Sequence, residues 1–270
     1  MSTDRPNRQL PFDEVAEIYD RARPEYPKEA FREVFHYLRL EQPVGTPAVV
    51  EIGPGTGQAT KALIALGARV TAVELGPRLA QFMREKFASE KSLHVITGAF
   101  EDVDLAQRRY DIVFAATAFH WLDPNVRLRK AVELLAPGGV IATLSTIQIQ
   151  SEVDRGYFER SHAIYKRYRP DEHHSELPTE KDAIPSDYEE FRSSGLLDDV
   201  IVRRYRWNQT YTTDTYEQLV RSYSDTQMMD AAAREGLLAD LRDVIKREFG
   251  GKVTRPLVIA LTLGRLREGR

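Results

Sequence analysis

Residues 48–58 read AVVEIGPGTGQ, and this stretch decides the fold class. Its first five residues are mostly apolar and β-branched, which predicts a buried strand, and three spaced glycines follow in a turn. Helical spacing then runs from about Gln58 to Leu66 and stops at Gly67, a residue that can end a helix. A strand, a glycine turn and a helix in this order predict the first unit of a parallel α/β sheet, where such a turn binds a nucleotide-like ligand.

The same alternation continues to residue 150 and predicts a doubly wound α/β fold. Further strands are predicted at Arg69 to Leu75, Leu93 to Thr97, Tyr110 to Ala116 and Val140 to Ile147. Helices are predicted at Pro77 to Ala88 and at 124–135. Asp123 can cap the second of these helices, Pro124 can begin it, and Pro137-Gly138-Gly139 is expected to end it.

The segments outside this core are predicted to elaborate it. An amphipathic helix is expected at Pro27 to Leu40, and the polar, helical residues 151–195 are expected to form an insertion after the fifth strand. Strand-like residues Asp199 to Tyr211 and Lys252 to Leu263 lie on either side of a mostly helical interval at 213–249. Together these segments predict one α/β domain with additions.

Composition excludes several classes of function. The chain has 270 residues, of which 42% are hydrophobic and 29% charged, and its net charge of −3 gives no general attraction to nucleic acid or to anionic lipid. It has no cysteine, which excludes disulfides, thiolate nucleophiles and Cys-ligated metal. No basic start leads into an apolar segment and no apolar run is long enough to span a bilayer, so the prediction is a cytoplasmic location with no membrane partner.

Two polar segments could suggest other ligands. His173-His174 beside Asp171-Glu172 is expected to be a solvated loop, because adjacent histidines seldom reach one ion with correct geometry, so no metal is predicted. The basic and aromatic run at 203–207 resembles a nucleic-acid surface, but alternation along one strand explains it better. We therefore predict no nucleic-acid partner.

The glycine turn has two possible ligand classes and one structural alternative. A dinucleotide fingerprint, G-x-G-x-x-G, would need Gly or Ala at position 58, where this chain has Gln58. A pyrophosphate would also be repelled by Glu51, whereas Glu74, at the end of the second predicted strand, could accept hydrogen bonds from both hydroxyls of a ribose. A purely structural turn is the third alternative, although spaced glycines cost folding entropy.

The run E-x-G-x-G-x-G from Glu51 to Gly57 resembles motif I of the class I S-adenosylmethionine-dependent methyltransferases. The resemblance extends to Val73-Glu74, to AATAFHWLD at 115–123 and to LAPGG at 135–139. FDEVAEIYDRARPEYP at 12–27 is similar to the N-terminal lid of the small-molecule branch, which includes ubiquinone-type and trans-aconitate-type enzymes. The resemblance implies a mostly parallel, seven-stranded sheet, S-adenosylmethionine as cofactor and a small-molecule acceptor.

The family's pattern can be carried onto individual residues. In the family the glycine turn passes around the methionine part of the cofactor, and the leading acid helps to hold its amino group. An Asp that meets adenine after the third strand is replaced here by Ala99, so the backbone of Ala99 and Phe100, with the Phe ring or Glu101, is expected to hold adenine. The residues expected to contact the cofactor are Glu51, Gly53, Pro54, Gly55, Thr56, Gly57, Gln58, Glu74, Leu75, Ala99, Phe100, Glu101, Thr117, Ala118, Tyr19 and Arg23.

The acceptor side is expected to involve His120, as a base or a substrate contact, since an imidazole titrates near neutral pH. The alternative is that His120 only packs against the lid. Tyr26, Trp121 and Tyr223 are also expected to line the acceptor. The lid group of Tyr19, Arg23 and Tyr26 can equally be read as a surface segment that caps the first helix.

These expectations define one domain. Residues 1–45 would supply the lid and first helix, 46–150 the cofactor-binding core, 151–195 the insertion, and 196–270 the last strands with a substrate cap at 213–249. The predicted reaction is in-line displacement by an O, N or C nucleophile, in a monomer or homodimer. Two alternatives remain open, an NAD-dependent oxidoreductase and a non-catalytic module that binds S-adenosylmethionine.

Overall fold

Seven strands form one sheet in the computed structural model, which describes residues 26–39, 45–105, 109–170 and 176–267. The strands are β1 (Ala48–Ile52), β2 (Arg69–Glu74), β3 (Leu93–Thr97), β4 (Tyr110–Ala116), β5 (Leu135–Gln148), β6 (Leu197–Thr212) and β7 (Lys252–Leu266). Their order in the sheet is β3-β2-β1-β4-β5-β7-β6. This order reverses direction between β1 and β4, so the crevice at their carboxyl ends is the position where doubly wound folds bind ligands.

The helices follow the predicted alternation. They are α1 (Lys28–Arg39), α2 (Gln58–Ala65), α3 (Pro77–Lys86), α4 (Arg127–Leu134), α5 (Tyr157–Tyr168), α6 (Tyr188–Ser193), α7 (Thr213–Arg221), α8 (Ser224–Gln227) and α9 (Ala231–Glu248). The doubly wound α/β fold with a mostly parallel seven-stranded sheet is confirmed. The predicted bounds of β1, β3 and β4 match the structure, and those of β2, α1, α2 and α3 agree within two residues.

Parallel pairing brings the ends of three strands together. β1 pairs with β2 on one side and β4 on the other, with Ile52 opposite both Val73 and Ala115. The residues that follow these positions therefore share one edge of the sheet. As a result the glycine turn, the carboxylate of Glu74 and the segment that begins at Thr117 lie beside one another.

Two predicted boundaries were wrong, both near β5. The helix expected from residue 124 begins at Arg127, because Asp123 instead closes a turn: its side chain accepts from the backbone N–H of Asn125 and its carbonyl from that of Arg127. The Pro-Gly-Gly run at 137–139 was expected to precede the strand, but β5 already begins at Leu135.

Pairing with β4 explains the early start of β5. Leu135 pairs with Tyr110 and Val140 pairs with Ile112, so five positions along β5 match two along β4. The extra residues form an irregularity of the kind that a β-bulge introduces, and Pro and Gly are the residues that such a site tolerates.

The chain divides into two compact units. Among the described residues, the sheet unit comprises those within 26–147, 183–205 and 258–267, and the helical unit comprises those within 148–182 and 206–257. One domain with an insertion at 151–195 stays a prediction, and residues 183–195 group with the sheet unit.

The core of the sheet unit forms as the apolar pattern indicates. The predicted inner face of α1 is buried, and the ring of Phe31 lies 5.7 Å from that of Phe114 on β4. On the other face of the sheet, apolar side chains of the strands pack with α4 in one hydrophobic cluster. The cluster includes Val50, Ile52, Val73, Val113, Leu134 and Ile141.

The core of the helical unit is rich in tyrosine. The rings of Tyr157 and Tyr216 meet edge to face at 5.3 Å, and Tyr211 packs on Tyr216 at 5.8 Å. Leucines from α9 fill the remaining space. Helix α7 begins with a capping box at Thr212, and α9 begins where Asp230 accepts from two backbone N–H groups. None of the helices in the described ranges is long and apolar enough to cross a bilayer.

Candidate functional site

The glycine turn between β1 and α2 needs glycine at each of its three positions. Gly53, Gly55 and Gly57 have φ of 61°, 59° and 87°, in the left-handed region that side chains disfavour. A Cβ at Gly53 would lie 2.7 Å from that of Ala118, and a Cβ at Gly57 would lie 2.4 Å from the ring of Phe87. The turn is thus held against the end of β4 on one side and against α3 on the other.

Polar contacts fix the rest of the turn. Lys86 donates to the carbonyl of Thr56 at 2.9 Å, and the hydroxyl of Thr56 donates to the side chain of Gln58 at 2.9 Å. The backbone N–H of Gly57 donates to the carbonyl of Pro54 at 3.0 Å. The turn is therefore formed by interactions within the sheet unit before any ligand is considered.

Glu74 joins the turn to the end of β2. Its two carboxylate oxygens accept from the backbone N–H groups of Gly55 at 3.0 Å and Gly76 at 2.9 Å, and the residue is 5% exposed. These two bonds hold the carboxylate at the end of β2, beside the glycine turn. Leu75, the next residue, is half-buried.

Glu51 is a buried acid at the carboxyl end of β1. It is 1% exposed and accepts a hydrogen bond of 2.6 Å from the hydroxyl of Thr60 on α2. Burial raises the pKa of Glu51 from 4.5 to about 7, the Thr60 hydroxyl opposes this rise and the nearby charge of Glu74 adds to it. Within the described part of the chain Glu51 has a hydroxyl partner and no cation.

In the segment after β3, residues 99–101, the backbone is the part that could contact a ligand. The ring of Phe100 is 3% exposed and packs in the hydrophobic core, where the ammonium of Lys130 lies 5.5 Å from its centroid. Glu101 accepts from the backbone N–H of Asp123 at 3.0 Å. The expected use of the Phe100 ring is therefore not available, and contact by this segment would come from the backbone of Ala99 and Phe100.

Thr117, directly after β4, has a strained backbone. Its φ of 51° is unusual for a β-branched residue, and such strain clusters at functional sites. Its N–H donates to the carbonyl of Leu144 at 2.7 Å, and its hydroxyl donates to the carbonyl of Ala116 at 2.8 Å. The hydroxyl of Tyr26 lies 3.0 Å from that of Thr117. This contact joins the segment before α1 to the end of β4.

His120 and Trp121 lie in a single 3₁₀ turn, Phe119–Trp121, that follows Thr117. Both side chains are exposed, and their ring centroids are 5.1 Å apart. Phe119, by contrast, is buried, and its carbonyl accepts from Arg127 at 3.2 Å. Arg127 also forms a bidentate pair with Glu190 of α6. This arrangement fixes the backbone that carries His120.

The charges around His120 set its titration. Desolvation of part of the ring lowers the pKa of His120, with Asp187 opposing this effect and Arg127 adding to it. Asp187 is itself 4% exposed and accepts from the hydroxyls of Thr143 and Thr262. The imidazole is consequently neutral at physiological pH and able to accept a proton.

The sheet unit brings together most of the residues that the sequence singled out. Gly53 contacts Ala118, Gly55 contacts Glu74, and Tyr26 contacts Thr117. Tyr19 and Arg23 lie outside the described residues, as do Asp171 to His174. Tyr223 belongs to the helical unit, where its hydroxyl accepts from Arg255. The described ranges hold no group of His, Asp and Glu side chains that could bind a metal ion.

Sequence reasoning missed three side chains that support this site. They are Thr60, which donates to Glu51, Lys86, which holds the turn, and Asp187, which influences His120. Thr60 is nine residues from its partner, and no motif marks it. Asp187 falls in the segment predicted to be an insertion, so only the fold could place it near His120.

Comparison with known proteins agrees with this site. Residues 50–143 match the family model described as a methyltransferase domain. An uncharacterized methyltransferase of Mycobacterium tuberculosis (strain ATCC 25618 / H37Rv) is 30% identical over 139 residues, which is 52% of this chain and 53% of that protein. The match thus spans about half the length of this relative.

Solved structures extend the similarity of fold over most of the chain. A putative type II methyltransferase from Anaeromyxobacter dehalogenans aligns with a TM-score of 0.60 at 19% identity, covering 91% of this chain and 97% of that one. Phosphoethanolamine N-methyltransferase 2 of Haemonchus contortus, solved with phosphomonomethylethanolamine and S-adenosylhomocysteine, aligns with a TM-score of 0.51 at 14% identity, covering 95% of this chain and 58% of that one. At these identities the likeness concerns the fold alone.

Proposed function

We propose that the chain is a class I methyltransferase and that it transfers a methyl group from S-adenosylmethionine to a small-molecule acceptor, on the strength of the methyltransferase-domain match over residues 50–143. The cofactor supplies a methyl group already activated on a sulfonium, and the protein supplies binding and orientation. Proteins of similar fold have been solved with S-adenosylhomocysteine or S-adenosylmethionine bound, which supports this choice of cofactor.

The observation that carries the proposal is the buried carboxyl of Glu51 beneath a glycine turn. A buried acid is stabilised in its ionised form by a cation, and Glu51 has none among the described residues. S-adenosylmethionine brings an ammonium group, whereas a dinucleotide would bring a pyrophosphate close to Glu51 and Glu74. The charge at the turn therefore favours the sulfonium cofactor over NAD.

The other contacts follow from the same geometry. Glu74 would accept from the ribose hydroxyls, because its carboxylate is held at the end of β2 beside the glycine turn. The backbone of Ala99 and Phe100 would meet adenine, since the ring of Phe100 is buried in the core.

The reaction needs alignment more than it needs a strong catalytic group. A bond forms between the acceptor nucleophile and the methyl carbon as the carbon–sulfur bond breaks, and its electron pair stays on sulfur in S-adenosylhomocysteine. Orientation in a dry pocket can supply much of the rate. Where the nucleophile is protonated, the neutral imidazole of His120 can accept that proton.

The experiment that tests the proposal is calorimetric titration of the purified chain with S-adenosylhomocysteine and, separately, with NADH. Heat from S-adenosylhomocysteine alone is expected, and Glu74→Gln should weaken this binding more than tenfold, or by above about 1.4 kcal/mol. Glu90→Gln, at an exposed position, is the control and should bind normally. Heat from NADH alone would overturn the proposal.

Transfer itself requires a second measurement. Incubation of cell extract with methyl-labelled cofactor and the enzyme should label a small molecule, and His120→Ala should lower the rate while cofactor binding is retained. Tight cofactor binding with no label in any metabolite would show that the chain only binds the cofactor.

A further inference from the structure

Arg255 on β7 is a guanidinium without a carboxylate partner in the helical unit. Its Nε and Nη2 donate to the side-chain oxygen of Gln148 at 3.1 and 2.6 Å, and its Nη1 donates to the hydroxyl of Tyr223. Both partners are neutral. None of the ion pairs among the described residues includes Arg255.

Other arginines of this unit are paired with acids. The Arg169 side chain is 11% exposed and lies 2.5 Å from Asp225. Arg221 contacts Glu217 at 3.0 Å and Glu235 at 2.7 Å. Because a guanidinium taken out of water is stabilised mainly by such partners, Arg255 differs from these arginines in having no acidic partner among the described residues.

Arg265 is an arginine with a purely structural role, and its exposure and hydrogen-bond acceptors differ from those of Arg255. Arg265, in the sheet unit, is 5% exposed and donates to the backbone carbonyls of Gly138 and Tyr37. It is sealed from solvent and held by main-chain oxygens. Arg255 is half-buried, and both of its hydrogen-bond partners, Gln148 and Tyr223, are half-buried as well, so the group is less enclosed than Arg265.

Phenol groups surround this guanidinium. Tyr211, Tyr216 and Tyr223 lie close enough to influence its charge, and Tyr165 lies near Tyr216 and Tyr223. Burial raises the pKa of Tyr165 and of Tyr216, so both remain neutral hydroxyls at physiological pH. Aromatic rings and neutral hydroxyls near the guanidinium favour an organic anion over a hydrated inorganic ion.

The shape of the guanidinium selects the anion. Arg255 has five N–H donors in one plane, of which three are used by Gln148 and Tyr223, so two remain. A carboxylate is planar and matches this fork, while the hydroxyl of Tyr223 holds the guanidinium in place.

From these contacts we propose that Arg255, Gln148 and Tyr223 form a subsite for the carboxylate of a small organic acid. The inference does not depend on the proposed function, because all three residues belong to the helical unit. The subsite holds the acid, and no bond to its carboxylate oxygens is formed or broken there.

The test uses benzoate as the probe and benzamide as its neutral isostere, each titrated into the full-length chain while the Nε–H signals of arginine are followed by NMR. Benzoate should saturate and shift the Arg255 signal, and benzamide should bind at least tenfold more weakly. Arg255→Lys should weaken benzoate binding about tenfold because it removes the planar fork, and Tyr223→Phe should weaken it severalfold because it removes a hydrogen bond that orients the fork.

Arg160→Lys is the matched control. Arg160 lies in the same unit, and its exposed side chain pairs with Glu248, so the same Arg-to-Lys change at this position should leave benzoate affinity unchanged. If Arg255→Lys unfolds, Tyr223→Phe and Gln148→Leu still decide the question. Equal binding of benzoate and benzamide, full benzoate affinity in these variants, or no saturable shift would overturn the inference.

The two proposals fail in different ways. Binding of S-adenosylhomocysteine without binding of benzoate would refute the carboxylate subsite and leave the methyltransferase assignment standing. Binding of benzoate without any cofactor binding would refute the methyltransferase assignment and leave an acid-binding site.

Discussion

Replacing Glu51 by Gln should make the fold more stable at pH 8 and the cofactor site weaker. Burial raises the pKa of Glu51 from 4.5 to about 7. An acid with a raised pKa keeps its proton in the folded chain at pH values where the unfolded chain has released it. Folding therefore takes up a proton between these two values, and the free energy of unfolding falls as the pH rises through that window.

The size of the effect follows from the pKa. The full rise corresponds to about 3 kcal/mol, of which about 2.5 kcal/mol develops between pH 5 and pH 8. Glutamine at position 51 carries no charge at any of these pH values and keeps an oxygen for the hydroxyl of Thr60. The stability advantage of Glu51→Gln over the natural chain should thus grow by about 2.5 kcal/mol from pH 5 to pH 8.

Urea unfolding at several pH values measures this difference, with Glu90→Gln as a control for the loss of an exposed acid. A stability difference that stays constant from pH 5 to pH 8 would refute the argument, because it would mean that Glu51 ionises in the folded chain as it does in water.

Cofactor binding should show the opposite trend. If the ionised carboxylate of Glu51 holds the ligand's ammonium, the affinity for S-adenosylhomocysteine should rise about tenfold between pH 6 and pH 8 in the natural chain, since a group with a pKa near 7 is mostly protonated at the lower value. Methylthioadenosine lacks that ammonium and should bind with little pH dependence. Equal pH dependence for both ligands would exclude Glu51 as the group responsible.

Three further changes test other parts of the structure. Gly57→Ala should lower the free energy of unfolding by about 3 kcal/mol in urea, because its left-handed backbone and the closeness of Phe87 both oppose a Cβ. Asp187→Asn should lower the pKa of His120 in an NMR titration, since the carboxylate now raises it; an unchanged pKa would contradict the charge interaction. Burial tends to raise the pKa of Glu217, but paired arginines outweigh it and lower that pKa. Glu217→Gln should therefore cost about 1 kcal/mol at pH 7, and urea unfolding should show the loss vanish as the pH falls below 4.

The sequence predicted those parts of the fold that depend on neighbouring residues. The apolar runs at β1, β3 and β4 and the glycines after β1 each determine their local structure, and the structure has them where expected. The start of β5 could not be read in this way. Pro137 and the two glycines after it favour a turn on their own, and pairing with β4 overrides that preference.

The same distinction between local and distant contacts applies to the candidate site. The positions of Glu51, Glu74 and the glycine turn were predictable, because they lie at the carboxyl ends of two neighbouring strands of a parallel sheet. The contact of Arg255 with Gln148 joins residues 107 positions apart, and no spacing in the sequence encodes it. Such contacts depend on how distant strands pair, so a site of this kind is harder to predict from sequence than the glycine turn.

Glu51 and Arg255 carry opposite charges, and for each of them the structure raises the question of what balances that charge. Each is a charged group out of bulk water that has neutral hydrogen-bond partners and no opposite charge among the described residues. Either group lowers stability relative to a neutral residue of similar shape, so folding alone gives no reason for its presence. A ligand that supplies the missing charge gives such a reason: an ammonium for Glu51, and a carboxylate for Arg255. The pH dependence of cofactor affinity and the preference for benzoate over benzamide measure these two complementarities separately, because each experiment alters one charge and leaves the other in place.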